Sequence, residues 1–336
     1  MFWRRPSAEE GISCVVRAKD EENWLWLSLL SIRDFADEII FVDNASSDRT
    51  LEIARRFQDE FAKDRIKIST FPAIDGRQVK VADLYNFAFK QATKSWVMKW
   101  DADFIGRTEG PFAMLELKKL WHEHRDRVDK FRLSAPNLWG DHAHYRAVWP
   151  GHPEFCFENY LWRNRGWKYE MESYEVLRLN RHKRELRLGP PANPEDRRMY
   201  WIHLKSLEAE DLIFYRTNMV PWWKYCLDHP SGGLTYDEWC GQQWGSADPK
   251  QQLQFTDGQW HWGLQKPPYP ERARQIQNLM DRCLRDGHLL RFTKFGGKWG
   301  EYPGLLKTYL ERPQYRIVYQ NGIPHHRETL PGPIRT

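Results

Sequence analysis

The segment at residues 96–105, WVMKWDADFI, ends a mostly apolar run with two carboxylates, Asp101 and Asp103. The apolar run is typical of a buried strand. Side chains at positions i and i+2 of an extended segment point the same way, so we expect both carboxylates on one side. Such a pair suits a hard divalent cation, which takes oxygen ligands and usually shares them with substrate phosphates. Most isolated pairs of this kind lie in solvated loops. The rest of the sequence must therefore distinguish a solvated loop from a cation-binding site.

The composition of the 336-residue chain is that of a globular protein. Hydrophobic residues make up 41% and charged residues 29%, which allows a packed core and argues against disorder. The net charge of +5 permits an anionic ligand. The sequence has no dense Lys/Arg block, however, so the charge does not indicate nucleic-acid binding.

The cysteine content and the hydropathy of the sequence predict the cellular location of the protein. The five cysteines are scattered and form no C-x-x-C pair, which argues against a disulfide framework or a zinc site and favours a reducing compartment. No apolar segment follows Met1, and no apolar run approaches membrane-spanning length. We therefore expect a soluble, cytoplasmic protein, with peripheral contact to a membrane left open.

Tryptophan is unusually frequent, with 18 residues, many of them in contexts such as PWWKYC and DGQWHWG in the second half. Two interpretations stay open. The rings could pack the core and its loops, as large aromatic side chains usually do. Alternatively, they could form a surface on which flat rings stack against sugar faces or other apolar ligand faces.

The first hundred residues alternate between strand-like and helix-like segments. Short β-branched and apolar runs predict strands, and the spacing of apolar residues between them predicts helices. Strands joined by crossovers of helical length indicate a parallel sheet covered on both faces, and thus an α/β fold. The predicted strands are 11–20, 37–43, 65–71 and 96–103, and the predicted helices are 22–35, 46–61 and 80–93.

Polar clusters lie at the carboxyl ends of three predicted strands. They are residues 17–20, residues 43–48, and Asp101 with Asp103. Ligands of parallel sheets sit at the carboxyl ends of the strands. The three clusters therefore predict one site, and they favour a functional interpretation of the acidic pair.

Beyond residue 106 the pattern is mixed. A helix is predicted at 111–125, short aromatic and basic strands follow, and 204–225 regain helical spacing. Residues 228–270 are rich in Gly, Pro, Gln and Trp and are predicted to be irregular, with helices at 270–287 and 303–313. We divide the chain into a ligand-binding half at 1–106, a second half of the same domain at 107–227, and a C-terminal extension at 228–336.

Three stretches together resemble a known family: CVVRAKDEENWL, ADEIIFVDNASSDRTLEIARRF and WVMKWDADF. In this order they resemble the nucleotide-binding half of an inverting family 2 glycosyltransferase with the GT-A fold, over residues 11–105. The second half is similar to lipopolysaccharide core glycosyltransferases. The resemblance implies a Rossmann-like, mostly parallel sheet flanked by helices, with a mixed acceptor-side half and a helical, Trp-rich C-terminal extension.

The resemblance implies roles for the residues at the strand ends. Asp43 would accept hydrogen bonds from the base or ribose of a nucleoside-diphosphate sugar, and Arg17 and Asp20 would lie beside it. Asp101 would contact the ribose or the metal, and Asp103 would bind Mn²⁺ or Mg²⁺. The ion would bridge the diphosphate and neutralise the leaving group.

Two further residues of the stretch ADEIIFVDNASSDRTLEIARRF allow two interpretations. Asp48 and Thr50 lie at the predicted start of the second helix. They could contact the ligand or cap that helix, and we weigh the two equally.

The third predicted helix departs from the family pattern. Family members often carry an Arg-Asn pair there, whereas this sequence has Tyr85 in place of the arginine and keeps Asn86. Arg77 or Lys80 would then supply the missing positive charge to the nucleotide sugar.

Inverting transfer needs a carboxylate that takes the proton of the acceptor hydroxyl. The resemblance points to the segment WKYEMESYEVLRL, and we rank Glu175 first as this base, Glu172 second and Glu158 third. In MYWIHLKS, His203 would complete the metal shell and Lys205 would contact the diphosphate, although a lone histidine after a strand is more often a packed residue.

These expectations converge on a metal-dependent inverting glycosyltransferase of the hexosyltransferase type. It would move a sugar from a nucleoside-diphosphate sugar, a UDP-sugar first among them, to a hydroxyl of a glycan or lipid-linked saccharide. One alternative is a nucleotidyltransferase, although the sequence lacks a Gly-rich phosphate loop near its N-terminus. Another is a non-catalytic carbohydrate-binding protein on the same fold.

Overall fold

The computed structural model describes most of the chain up to residue 204 and short stretches beyond it. Four of the predicted site residues, Arg77, Lys80, Glu172 and Lys205, lie outside the described residues. The described residues are 8–204 apart from 23, 47, 73–80, 140, 150, 151, 154, 172–174, 181 and 190–197, together with 222, 225–226, 228–229, 232–244, 253–256, 259–262, 289–291, 316–320 and 323–327.

The described strands are numbered in chain order. They are β1 (Glu9–Ala18), β2 (Glu38–Asp43), β3 (Ile66–Thr70), β4 (Lys94–Asp101), β5 (Phe104–Gly106), β6 (Lys130–Pro136), β7 (Leu138–Trp139), β8 (Asp141–Trp149), β9 (His152–Pro153), β10 (Phe155–Arg163), β11 (Trp167–Met171), β12 (Glu175–Leu179), β13 (Glu185–Arg187), β14 (Trp201–His203), β15 (Leu253–Thr256), β16 (Gln259–Trp262), β17 (Leu289–Arg291), β18 (Arg316–Gln320) and β19 (Ile323–Arg327).

Helices connect the first strands, as the sequence predicts. The described helices are α1 (Leu25–Ile32), α2 (Thr50–Phe57), which continues into a π-helical turn (Gln58–Ala62), α3 (Val81–Lys90), α4 (Met114–His124) and α5 (Tyr236–Trp244).

A seven-stranded sheet in the order β13-β6-β10-β4-β1-β2-β3 forms the centre of the fold. Strands β1 to β4 are parallel, β10 runs antiparallel to β4 and to β6, and β13 is parallel to β6. The result is a mostly parallel sheet with one reversed strand, flanked by helices. This architecture is GT-A-like, as expected, and it draws strands from both sides of residue 106.

The central strands are buried on both faces because other elements pack against each side of the sheet. Consecutive side chains of a strand point to opposite sides, so they belong to different clusters. On one face, Val16 and Trp100 belong to a hydrophobic cluster that includes residues of α1, α2 and α4. On the other face, Val15 and Val97 pack in a second cluster with α3, β11 and β12. By strand alternation, the face that carries α3 also carries Arg17, Lys99 and Asp101.

Most described tryptophans are core residues. Trp96, Trp100, Trp162 and Trp201 are among the largest fully buried side chains. Trp222, from the PWWKYC segment, is also buried, with 8% of its surface exposed. The packing interpretation is therefore confirmed for these rings.

The described stretches beyond residue 228 differ from the irregular structure predicted there. They include α5 and a hairpin of β15 and β16. Thr235 and Glu238 form a reciprocal cap at the start of α5, because the Thr235 N–H donates to Glu238 Oε2 (2.8 Å) and the Glu238 N–H donates to Thr235 Oγ1 (3.3 Å). The T-x-x-E signal was present in the sequence. The helices predicted at 270–287 and 303–313 lie outside the described residues.

The described helices give no membrane span. None of them is both long enough and apolar enough to cross a bilayer.

Candidate functional site

The carboxyl ends of β1, β2 and β4 meet at one edge of the sheet. The register pairs Arg17 on β1 with Asp101 on β4, and Ala18 on β1 with Asp43 on β2. Parallel pairing of three consecutive central strands puts these side chains at the same end by necessity. The prediction that the polar strand ends converge is confirmed.

Asp43 is buried, with 2% of its surface exposed, and its carboxylate closes a tight turn. The Ser46 N–H donates to both carboxylate oxygens, at 3.3 and 3.1 Å. Ala45 adopts a φ of 50°, a left-handed conformation that the turn requires. An ionised carboxylate has about four lone-pair sites, so Asp43 can hold this turn and still accept a hydrogen bond from a ligand.

Asp20 lies beside this turn at the end of β1. Its backbone also adopts a left-handed φ, of 55°, and its N–H donates to Ser46 Oγ at 2.9 Å. Its carboxylate is 3.8 Å from Lys19 Nζ. The loops after β1 and β2 are therefore held together by backbone-to-side-chain hydrogen bonds.

Asp48 and Thr50 connect the same two loops to the start of α2. Asp48 Oδ1 accepts the Thr50 N–H at 2.8 Å, and Asp48 Oδ2 accepts the Glu22 N–H at 2.9 Å. Thr50 Oγ1 accepts the Glu21 N–H at 2.7 Å. Burial raises the pKa of Asp48. These contacts favour a structural role over ligand contact: Asp48 accepts a backbone N–H at the start of α2, and both residues hold the loop after β1 against that helix.

Asp101 lies between two cations on the α3 face of the sheet. Its carboxylate is 3.3 Å from the Arg17 guanidinium and 3.9 Å from Lys99 Nζ. Lys99 Nζ also donates to Glu158 Oε2 at 2.9 Å. Although burial alone would lower it, Tyr85 and the two carboxylates raise the pKa of Lys99.

Asp103 contacts different partners, because β4 ends at Asp101 and the chain turns at residues 102–103. The expectation that the two carboxylates point the same way assumed an extended backbone through Asp103, and this assumption is wrong. Asp103 Oδ2 lies 3.1 Å from His203 Nε2, and His203 Nδ1 lies 2.9 Å from Asn137 Oδ1.

Short strands bring these three residues together from distant parts of the sequence. β5 pairs antiparallel with β14, with Phe104 opposite His203. A parallel bridge joins Asn137, directly after β6, to the same His203. The Phe104 ring contacts the imidazole edge-on, with centroids 4.7 Å apart. The imidazole is therefore fixed by backbone pairing on two sides and by an aromatic contact.

Tyr85 of α3 forms an aromatic platform under the Arg17 side chain. The guanidinium carbon lies 4.5 Å from the centre of the Tyr85 ring, which stacks on Tyr169 at 4.3 Å. The Tyr85 hydroxyl donates to Glu175 Oε1 at 3.3 Å. Burial raises the pKa of Tyr85, so the hydroxyl stays protonated and acts as a donor.

Two cations of neighbouring strands lie near the Tyr85 ring, whereas Arg77 and Lys80, which were predicted to supply the charge that Tyr85 does not carry, lie outside the described residues. Arg17 of β1 and Lys99 of β4 both place their charge near the Tyr85 ring, at 4.5 and 5.8 Å from its centre. Asn86 has a structural contact, since its amide exchanges two hydrogen bonds with the backbone of Tyr169, at 2.9 and 3.0 Å. Asn86 thereby holds β11 against α3.

The candidate bases differ in their surroundings. The ion pair with Lys99 lowers the pKa of Glu158, which makes its carboxylate a weaker proton acceptor. Glu175 is partly buried on β12, accepts a hydrogen bond from a neutral hydroxyl, and makes no direct ion pair among the described residues, although Arg17 lies near enough to interact with it electrostatically. The comparison favours Glu175 over Glu158 and says nothing of Glu172.

Two residues of the site were missed from the sequence. Lys99 lies two positions before Asp101 on the same face of β4, so strand alternation could have found it. Asn137 lies 66 residues from His203 and gave no local signal.

The described residues offer few protein ligands to a divalent ion. The described residues contain no group of three or more His, Cys, Asp or Glu side chains that could hold a metal. Asp103 and His203 remain as a pair, with ligand atoms 3.1 Å apart. Two ligands about 2.1 Å from one ion at a right angle are about 3.0 Å apart, so the pair fits two neighbouring positions of an octahedral site. Asp101, neutralised by Arg17 and Lys99, fits such a shell less well.

Residues 13–109 match the family model described as Glycosyl transferase family 2. The match covers less than a third of the chain and includes Asp43, Asp101 and Asp103. None of the curated proteins compared with the chain matches it.

Solved structures show distant likenesses. S. aureus TarS 1–349 in complex with UDP has 15% sequence identity and a TM-score of 0.41, over 96% of this chain and 98% of that chain. A second structure, of S. aureus TarS, has 15% identity and a TM-score of 0.39, over 68% of this chain and 41% of that chain. The mannosyltransferase PcManGT from Pyrobaculum calidifontis, in complex with GDP-Man and Mn²⁺, has 21% identity and a TM-score of 0.28, over 40% of this chain and 39% of that chain. Likenesses this distant do not transfer an activity to this chain.

Proposed function

We propose that the protein is a metal-dependent inverting glycosyltransferase that uses a nucleoside-diphosphate sugar. The main support for the proposal is the 3.1 Å contact between Asp103 and His203. Asp103 lies just beyond the carboxyl end of β4, within the segment that matches the family model. The finer resemblance to lipopolysaccharide core enzymes stays a prediction, as do the sugar, the nucleotide, the acceptor and a cytoplasmic location.

Asp103 and His203 would hold the divalent ion. Mg²⁺ and Mn²⁺ are commonly bound by one or two carboxylates together with substrate phosphates, which suits a site with few protein ligands. An imidazole ligand favours Mn²⁺ over the harder Mg²⁺. When bound, the ion would neutralise negative charge on the leaving diphosphate.

The strand ends would bind the nucleotide. Asp43 is held in place by its turn and would accept a hydrogen bond from the base or ribose. Arg17 lies over the Tyr85 ring and contacts Asp101, and its Nε is buried without a hydrogen-bond partner among the described residues. An orphaned buried donor of this kind is expected to find its partner in a ligand or a water. Arg77, Lys80 and Lys205 stay predicted phosphate or nucleotide contacts.

Glu175 would serve as the general base. The acceptor oxygen would attack the anomeric carbon as its proton passes to the Glu175 carboxylate. The bond between the anomeric carbon and the phosphate oxygen would break on the opposite side, and its electron pair would leave with the nucleoside diphosphate. A single displacement of this kind inverts the anomeric configuration.

The two alternatives predict different products. A nucleotidyltransferase acting on a sugar nucleotide would break the phosphoanhydride bond within the diphosphate, transfer the nucleoside monophosphate and leave a sugar phosphate. A carbohydrate-binding protein would bind glycans without turnover, and the core positions of the described tryptophans give it little support.

Donor hydrolysis is the experiment that tests the proposal. The full chain is incubated with a panel of sugar nucleotides, beginning with UDP-sugars, in Mn²⁺ and in EDTA. We expect one donor to release its nucleoside diphosphate and free sugar in Mn²⁺ and not in EDTA. Release of a nucleoside monophosphate together with a sugar phosphate, or no turnover of any donor, would contradict the proposal. The anomer formed on transfer, observed by NMR, checks inversion.

A further inference from the structure

His203 faces an oxygen atom at each of its ring nitrogens. Nδ1 lies 2.9 Å from Asn137 Oδ1, and Nε2 lies 3.1 Å from Asp103 Oδ2. A neutral imidazole carries a single N–H, so it can donate to one of these oxygens and not to both. The other nitrogen then presents a lone pair to an oxygen that also presents lone pairs.

Either a second proton on the ring, which would pair with the Asp103 carboxylate, or a metal cation between the second nitrogen and its oxygen removes this conflict, and the metal-affinity measurements below separate the two. We propose that Asn137 is a positioning residue of the metal site. Its carbonyl oxygen accepts the Nδ1–H of His203, which holds the proton on Nδ1 and leaves the Nε2 lone pair aimed at the ion beside Asp103. The inference rests on the proposed function, because it needs Asp103 and His203 as metal ligands.

The surroundings of Asn137 suit this role. The residue is 2% exposed, and a parallel bridge to His203 fixes its backbone relative to the imidazole. It directly follows β6, a strand of the central sheet, so its position is set by the core of the fold. Hydrogen bonds from the second nitrogen of a ligating histidine orient the ring and raise its basicity, and their loss typically costs about 10–100-fold in metal affinity.

The orientation of the Asn137 amide decides the outcome. If the amide nitrogen faced Nδ1 instead, it would donate to that atom, and His203 would carry its proton on Nε2 and donate it to Asp103. His203 and Asp103 would then form a simple hydrogen bond. Two substitutions separate these arrangements, because aspartate is an acceptor with no amide donor and leucine is neither donor nor acceptor.

The test measures Mn²⁺ affinity of the full chain by electron paramagnetic resonance of free Mn²⁺. Asn137→Leu is expected to weaken binding by about 10–100-fold, while Asn137→Asp keeps at least the wild-type affinity because a carboxylate accepts the Nδ1–H well. Thermal unfolding checks that both variants fold, and Asn137→Ala replaces the leucine variant if that one does not.

Reference variants distinguish the two levels of the proposal. Asp103→Asn and His203→Ala should both lose Mn²⁺ binding, and if both bind it normally the metal site itself is wrong. If they lose binding but Asn137→Leu does not, Asn137 has no positioning role. Equal losses in Asn137→Asp and Asn137→Leu would also overturn the inference, since a carboxylate should restore the acceptor.

Discussion

At the scale of single residues, Asp101 and Asp103 have different neighbours although one residue separates them. Asp101 is held by Arg17 and Lys99, while Asp103 faces His203. The sequence predicted that both are functional candidates, because acidic residues after a buried strand are visible in the pattern. It did not predict their separation, because that depends on where the strand ends and on a histidine a hundred positions away.

The proposed base gives the first residue-scale prediction. Glu175→Gln keeps the size of the side chain and removes the proton acceptor, so kcat is expected to fall by about 10²–10⁴-fold. Affinity for the nucleoside diphosphate, measured by calorimetry, should stay close to wild type because the proposed nucleotide site lies at the strand ends and not at Glu175.

The matched control is Glu158→Gln, which removes a carboxylate already paired with Lys99. We expect a smaller loss of kcat there. Normal turnover by Glu175→Gln would remove Glu175 as the base and move attention to Glu158 or Glu172.

At the scale of elements, regular strands and helices were predictable and short pairings were not. Strands β1 to β4 and helices α1 to α3 agree with the spacing of apolar residues. β5 and β14 have three residues each and lie about a hundred positions apart, so their pairing has no periodic signal. The same holds for β10, whose direction is set by the strands beside it and not by its own sequence.

The edge strand β13 gives an element-scale prediction on pH. Asp129, directly before β6, accepts hydrogen bonds from the backbone and guanidinium of Arg184, directly before β13. Although burial alone would raise it, Arg184 and Arg163 lower the pKa of Asp129 to about 2. A carboxylate with a lowered pKa stabilises the fold above its unfolded pKa, near 4, and the effect is lost as the pH falls through the folded value.

Asp129→Asn should therefore reduce the free energy of unfolding by about 2 kcal/mol near neutral pH. The difference from wild type should shrink between about pH 4 and pH 2, as measured by urea unfolding at several pH values. Asp59→Asn, which removes an exposed carboxylate, is the control. A difference that stays constant down to pH 2 would show that the carboxylate charge does not hold β13 and β6 together.

At the scale of the whole molecule, one sheet joins the segment that matches the family model to strands that follow it. β1 to β4 carry the proposed nucleotide site at their carboxyl ends, and β6, β10 and β13 extend the sheet on the other side. The mostly parallel sheet could be predicted from the first hundred residues, because alternation of strands and helices indicates a parallel sheet, and the resemblance of three stretches to a known family added the GT-A expectation. The proposed metal site could be predicted only in part, since the sequence named Asp103 and His203 as ligands, whereas Asn137 reaches His203 through a long-range pairing.

We propose that the metal and a nucleoside diphosphate bind next to each other at Asp103, His203 and the strand ends. The most direct test of this central claim is calorimetric titration of UDP, GDP, ADP and CDP into the full chain, in Mn²⁺ and in EDTA. Two ligands that share a site typically change each other's affinity by about 5–150-fold. We predict that one nucleotide binds about tenfold or more tightly in Mn²⁺, and that Asp103→Asn abolishes this difference. Equal affinity in Mn²⁺ and EDTA for every nucleotide, or no binding at all, would contradict the account.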